Sequence, residues 1–202
     1  MSGELFFKSL FSAVAFLLTF AAFLPYYRNI LRGRTRPHVF SWIIWGGGTV
    51  IVAFAQLAEG AGVGGWPTLL SGALTCGIAG LAYLRRGDLS ITRSDWFCLL
   101  LATSALPFWF ATDSPLIAVL ILTTVDLLGF GPSLRKAWIL PEEENLLFFG
   151  IAIVRNGFMI AALEQYNLTT LLFPLAVLIA SLGFVCAVGF RRLSLSKKSW
   201  SG

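Results

Sequence analysis

The sequence predicts an all-α membrane protein of seven transmembrane helices, arranged as two parallel three-helix repeats joined by a linker helix. Three observations lead there. Of the 202 residues, 57% are hydrophobic and only 12% are charged, about half the charged fraction of a soluble domain, and the mean hydropathy is +0.80. Apolar stretches of about 20 residues, the length a helix needs to cross a hydrocarbon core of about 30 Å, recur along the whole chain. The landmarks that follow Pro25 also recur after Pro132 at nearly constant spacing.

The first span, Phe7 to Leu24, ends at Pro25. It lacks the basic n-region and small-residue exit of a signal peptide, so it reads as a retained helix. Arg28, Arg32, Arg34, Arg36 and His38 separate it from the second span, Val39 to Leu57. The stretch "GAGVGG", residues 60–65, reads as a flexible connector to the third span, Trp66 to Leu84, which closes on Arg85 and Arg86. The fourth span, Trp96 to Thr112, is short and contains Pro107; without it the count falls to six. The fifth, Leu116 to Trp138, holds Asp126 and Pro132. Glu142 to Glu144 precede the sixth span, Leu146 to Leu163, where negative charge suits a helix N-terminus. The seventh runs from Leu168 to Phe190. Runs such as "LIAVLILTTVDLLG" show none of the alternation of a barrel strand, and backbone groups in lipid must then be satisfied within each helix.

Basic residues near span ends mark cytoplasmic loops. With the N-terminus outside, the cytoplasmic segments hold Arg28, Arg32, Arg34, Arg36, Arg85, Arg86, Arg93, Arg135, Lys136, Arg191, Arg192, Lys197 and Lys198, thirteen of the 15 basic residues. Only Lys8 lies outside and Arg155 within a span. The expected topology is N-out and C-in, in the plasma (inner) membrane. The net charge of +5 is then mostly a topology signal and calls for no nucleic acid. Cys76, Cys98 and Cys186 fall within spans and read as packing residues.

The repeat is legible residue by residue. "PYYRNILRGRTRPHVFSWIIWG" from Pro25 and "PSLRKAWILPEEENLLFFG" from Pro132 share a proline, an arginine three residues on (Arg28, Arg135), a second proline (Pro37, Pro141) and a glycine (Gly46, Gly150). Arg85 and Arg86 match Arg191 and Arg192, and Thr75 pairs with Ser181. The chain divides into a first repeat at 1–86, a linker helix at 87–115, a second repeat at 116–192 and a cytoplasmic tail at 193–202. Two odd-numbered units share an orientation only when one further helix returns the chain, which is the role of the fourth span.

On these landmarks the chain resembles the SWEET and PQ-loop superfamily, as a divergent bacterial member. The resemblance implies a three, one and three arrangement and prolines ahead of basic loops in the first and fifth helices. The namesake glutamine is replaced: Pro25 is followed by Tyr26 and Pro132 by Ser133. It also implies a pocket lined by third and seventh helices and by a tryptophan, whose counterparts here are Thr75, Ser181 and Trp42 or Trp45. The implied function is a transporter of a small polar or anionic solute working by alternating access, proton-linked in one version. A membrane receptor or assembly protein on the same scaffold is the alternative.

Parallel repeats place a substrate site near the midplane between halves. Polar residues expected there are Ser41, Trp42, Trp45, Gln56 and Thr75 in the first half and Asp126, Asn145, Arg155, Asn156 and Ser181 in the second. The tryptophans also fit an interfacial belt, and the hydroxyls also fit bonds to their own helix. Pro25 and Pro132 each remove a helical hydrogen bond, which makes them candidate hinges. Counted from the cytoplasmic side, Asp126 and Arg155 lie at depths of about 13.5 and 15 Å, and charges so deep normally pair or face a cavity. A buried Asp126 to Arg155 ion pair is therefore expected.

Enzyme chemistry finds no support. The single histidine, His38, stands at a loop edge, and no nucleophile, metal-ligand or cofactor motif occurs. A retinal protein would need a lysine in the seventh span, which has none. The implied partners are a small-molecule substrate and the lipid bilayer, with self-association into a homo-oligomer compatible with the plan. Asn167, in a glycosylation-type triplet with Thr169, carries no meaning in a bacterial protein.

Overall fold

The computed structural model of the chain describes residues 3–34, 37–85, 89, 93–139, 141 and 146–199. Arg36, Arg86, Glu142, Glu143, Glu144 and Asn145 lie outside them. The fold is all-helical, with 89% helix and no strand among the described residues. In order the helices are α1 (Gly3–Leu31), α2 (Val39–Ala58), α3 (Trp66–Leu84), α4 (Arg93–Thr112), α5 (Pro115–Leu128), α6 (Phe130–Ile139), α7 (Leu146–Ala162) and α8 (Leu168–Ser199), with a short 3-10 turn at Gly62–Gly64. Stretches within or including α1, α2, α3, α4 and α8 are long and apolar enough to cross a membrane, whereas α5 and α7 are apolar but shorter. Large side chains such as Leu17, Phe54, Phe110, Leu147 and Ile179 point outward, while Ser71, Thr75, Arg155, Asn156 and Ser181 are buried. An apolar exterior around a polar interior is the arrangement hydrocarbon selects, and the chain is a membrane protein.

The sequence explains the helix ends. Before α8, Asn167 Oδ1 accepts from the Thr170 N–H at 3.0 Å and Thr170 Oγ1 accepts from the Asn167 N–H at 3.1 Å, a reciprocal cap that satisfies two backbone donors. The fifth expected span is split into α5 and α6 at Gly129. Pro132 has no N–H to offer the Leu128 carbonyl four residues back. Leu128 is the last residue of α5. In the first repeat the matching Pro25 sits inside α1, which continues for six more residues.

Packing follows two similar patterns. α3 packs against both α1 and α2, and α8 packs against α5, α6 and α7. Between the sets, α1 lies along α7 and α2 lies along α5, while α4 rests on α5 and α2. One apolar core gathers Ile44, Val52, Leu122, Val125 and Phe173 from α2, α5 and α8. A second joins Phe23, Ile30 and Ile78 on α1 and α3, with Ile151 of α7 packed against it.

Candidate functional site

Between the two sets lie the polar side chains that a lipid core would penalise most. On α3, Thr68, Ser71 and Thr75 are all buried, and their spacing of three and four residues sets them on one helix face. Thr75 Oγ1 donates to the Ser71 carbonyl at 2.7 Å, so its hydroxyl is engaged by its own helix. Ser71 Oγ accepts from Arg155 Nη1 at 3.3 Å, a bond that reaches from α7 to α3. Arg155 is only 8% exposed, and its Nε has no hydrogen-bond partner. Beside it, Asn156 Nδ2 donates to the Ala152 carbonyl at 2.8 Å, which leaves Oδ1 unpartnered. Ser181, which the sequence spacing pairs with Thr75, is buried with an unpartnered Oγ.

Asp126 belongs to the last turn of α5, just before the break. It is half-buried and lines a cavity of about 10 Å³ with Trp45, Gly48, Thr49 and Leu122, room for about one water. The Trp45 indole lies over Gly129, where an added Cβ would stand 2.7 Å from Cζ2. Trp42 meets Trp45 edge-on at 5.8 Å and Tyr26 at 4.9 Å. An aromatic row thus runs from α1 across α2 to the α5–α6 break.

The expected Asp126 to Arg155 ion pair does not form, since no Asp126 carboxylate oxygen comes within 4.0 Å of an Arg155 guanidinium nitrogen. Equal depth along two helices fixes height but not azimuth. α8 packs against both α5 and α7, and Arg155 turns toward α3 instead. Of the other residues singled out by sequence, Ser41 Oγ stands 2.7 Å from His38 Nδ1 and Gln56 donates to the Thr170 carbonyl at 2.9 Å.

The glycine-rich segment 60–65, expected to be a flexible connector, is pinned. Its neighbour across the seam is the α7–α8 loop. The Glu164 N–H donates to the Ala61 carbonyl and the Gln165 N–H to the Gly60 carbonyl, both at 3.1 Å. The Val63 N–H donates to Glu164 Oε1 at 2.9 Å, Asn167 Nδ2 donates to the Glu59 carbonyl at 3.0 Å, and Lys8 Nζ reaches the Glu164 carbonyl at 3.4 Å. Gly60 and Gly62 hold φ of +80° and +56°, a region side chains disfavour, and this lets the loop turn back on itself. Together with Gln56 to Thr170, six hydrogen bonds clasp the two sets at this end.

Sequence reasoning missed Ser71, Thr68, Gly129 and the clasp. The first two were findable, because Thr68, Ser71 and Thr75 make a polar stripe at helical spacing in an apolar span. The clasp pairs backbone groups of two distant loops and leaves no periodic signal. Comparison of the chain with protein-family models, with curated proteins and with solved structures finds no match.

Proposed function

We propose that the chain is a transporter of a small polar or anionic solute, built on the three, one and three plan of the SWEET and PQ-loop superfamily and working by alternating access. In this reading α1 to α3 form the first repeat, α4 the linker, and α5 to α8 the second, with α5 and α6 together filling the place of α1. The N-terminus and the clasped loops face outward, and the basic ends face the cytoplasm across the plasma (inner) membrane.

The observation that carries the reading is the pairing between sets. If α1 corresponds to α5, α2 to α7 and α3 to α8, then the contact of α1 with α7 and that of α2 with α5 are one contact made twice. The third helix of each set also packs against the other two. Such an arrangement supports rocking of one set against the other about a central seam, and the buried polar residues lie at that seam. The clasp closes the outer end with hydrogen bonds. Ile151 against Phe23, Ile30 and Ile78 closes the inner end with apolar contact. The small cavity beside Asp126 and Trp45 has room for about one water, so in this reading the interior must expand to admit solute.

Counterflow in proteoliposomes with sugars, amino acids, carboxylates and vitamins tests this. Exchange of at least one solute class is expected. Saturable binding without exchange of any of them would instead make the chain a receptor on the same scaffold.

A further inference from the structure

Arg155 is the one strongly basic side chain described in the interior, and its surroundings are unusual. It is more than nine-tenths buried and, among the described residues, has no carboxylate within ion-pair distance and makes one hydrogen bond, through Nη1 to Ser71 Oγ at 3.3 Å. A guanidinium has two forked edges, and with Nη1 held by Ser71 the edge left is the one made by Nε and Nη2. Nε is sealed from solvent and unpartnered. No hydrogen bond from Nη2 to a described residue accompanies it. This edge presents two parallel N–H donors, the geometry that matches the two oxygens of a carboxylate. A buried cation with an unmatched charge is costly in a membrane, and a ligand anion removes that cost.

We infer that the solute is a small monocarboxylate, bound through its carboxylate to the Nε and Nη2 edge of Arg155. The inference rests on the transport reading for the word solute, and on the geometry alone for the site. Ser71 is a positioning residue: by holding Nη1 from the opposite set it fixes which edge faces the ligand and ties recognition to the seam. Arg155 also sets the limit on charge. It is the one strongly basic side chain described in the interior, so a second negative charge on the ligand has no cation to meet it. Monocarboxylates are therefore favoured over dicarboxylates. Asn156 Oδ1 and Ser181 Oγ are also buried and unpartnered, as are Gln56 Oε1, Thr68 Oγ1 and Thr123 Oγ1, so the interior holds further polar atoms with capacity for a ligand.

The test is thermal unfolding of the purified full chain in detergent at constant ionic strength. The probes are acetate, propionate and lactate, with acetamide and propionamide as neutral isosteres, succinate as a dicarboxylate, and chloride, nitrate and phosphate as inorganic anions. A saturable rise in Tm of several degrees is expected with at least one monocarboxylate. It should be absent with the amides, smaller with succinate, and lost in Arg155→Gln. Should Arg155→Gln fail to fold, Arg155→Lys keeps the charge without the fork and should bind about tenfold more weakly, the worth of about one hydrogen bond. Ser71→Ala should weaken binding and narrow the preference for carboxylate over chloride. Equal stabilisation by amides, equal stabilisation by chloride or phosphate, or no shift with any monocarboxylate overturns the inference. The first of these leaves the transporter reading standing. Carboxylate binding at Arg155 without counterflow would do the opposite.

Discussion

Gly64→Ala strikes the clasp at its least forgiving point. An added Cβ would lie 2.7 Å from the Leu163 nitrogen and 2.8 Å from the Ala162 carbonyl carbon, which are backbone atoms and cannot rotate aside. Ordinary contact begins near 3.4 Å, so the two loops must part by about 0.7 Å. Bonds of 2.9 and 3.1 Å then stretch past the hydrogen-bond range. Three are affected: Val63 to Glu164, Glu164 to Ala61 and Gln165 to Gly60. At about 1 kcal/mol net each, the closed clasp loses about 3 kcal/mol, or about a hundredfold in its population relative to the open form. Amide hydrogen exchange at Val63, Glu164 and Gln165 reads this directly and should accelerate by about that factor. Gly157→Ala is the control, because its Cβ meets nothing within 4 Å and the helix gains about 0.5–1 kcal/mol from the change. Glu164→Ala, which removes only the side-chain acceptor of the Val63 N–H, should show a smaller effect of the same sign. Exchange in Gly64→Ala as slow as in the parent protein would refute the clasp as a closing element.

Two further outcomes are expected. In a background lacking the three native cysteines, a cysteine at Gln165 should react with an impermeant maleimide in intact cells and one at Arg34 should not; the reverse pattern inverts the topology. Gly129→Ala should displace the Trp45 indole and destabilise the protein by about 1–3 kcal/mol, as overpacking does. Trp45→Phe should relieve most of that, so a double-mutant cycle read by thermal unfolding returns a clear coupling, and strict additivity would mean the ring does not rest on the break.

How much of this was legible beforehand depends on the kind of signal. α3 and the starts of α2, α7 and α8 follow the apolar runs to the residue, because hydrocarbon imposes one length scale and one hydrogen-bonding solution. α8 outruns its expected end at Phe190 by nine residues to Ser199, since a helix continues past the lipid wherever propensity allows. The burial of Arg155, Asn156, Thr75 and Ser181 was readable from their position in apolar spans. Their partners were not. Counting along the sequence puts Asp126 and Arg155 at similar depth, yet a linear sequence holds no azimuth, and Ser71 rather than Asp126 receives the guanidinium. The loop of residues 60–65 looked flexible because glycine is permissive, whereas its positive φ values and close approach to Glu164 use that permissiveness to lock it.

The two sets of helices also differ at their prolines, and this gives the sharpest mutational contrast. Pro25 sits inside a helix that runs on unbroken to Leu31, so its cost is absorbed in a static element. Pro132 stands in the first turn of α6, where a proline is tolerated, directly after the interruption at Gly129. Asp126 lies one turn before that break and Trp45 rests upon it. The second set, which also carries Arg155, is thus jointed, and the first set offers a stiff wall bearing Ser71 and Trp45. Pro132→Ala supplies an N–H for the Leu128 carbonyl and joins α5 to α6. One added hydrogen bond that must break in each cycle raises the barrier by about 1 kcal/mol and slows exchange by about five- to tenfold. Pro25→Ala restores a bond in a helix that need not bend, so it should raise thermal stability and leave exchange within about twofold, a barrier change under about 0.5 kcal/mol. Initial rates in proteoliposomes, set beside unfolding temperatures, separate the two. Equal slowing by both substitutions would place hinges in both repeats, and no slowing by Pro132→Ala would make the break at Gly129 a fixed feature of the fold.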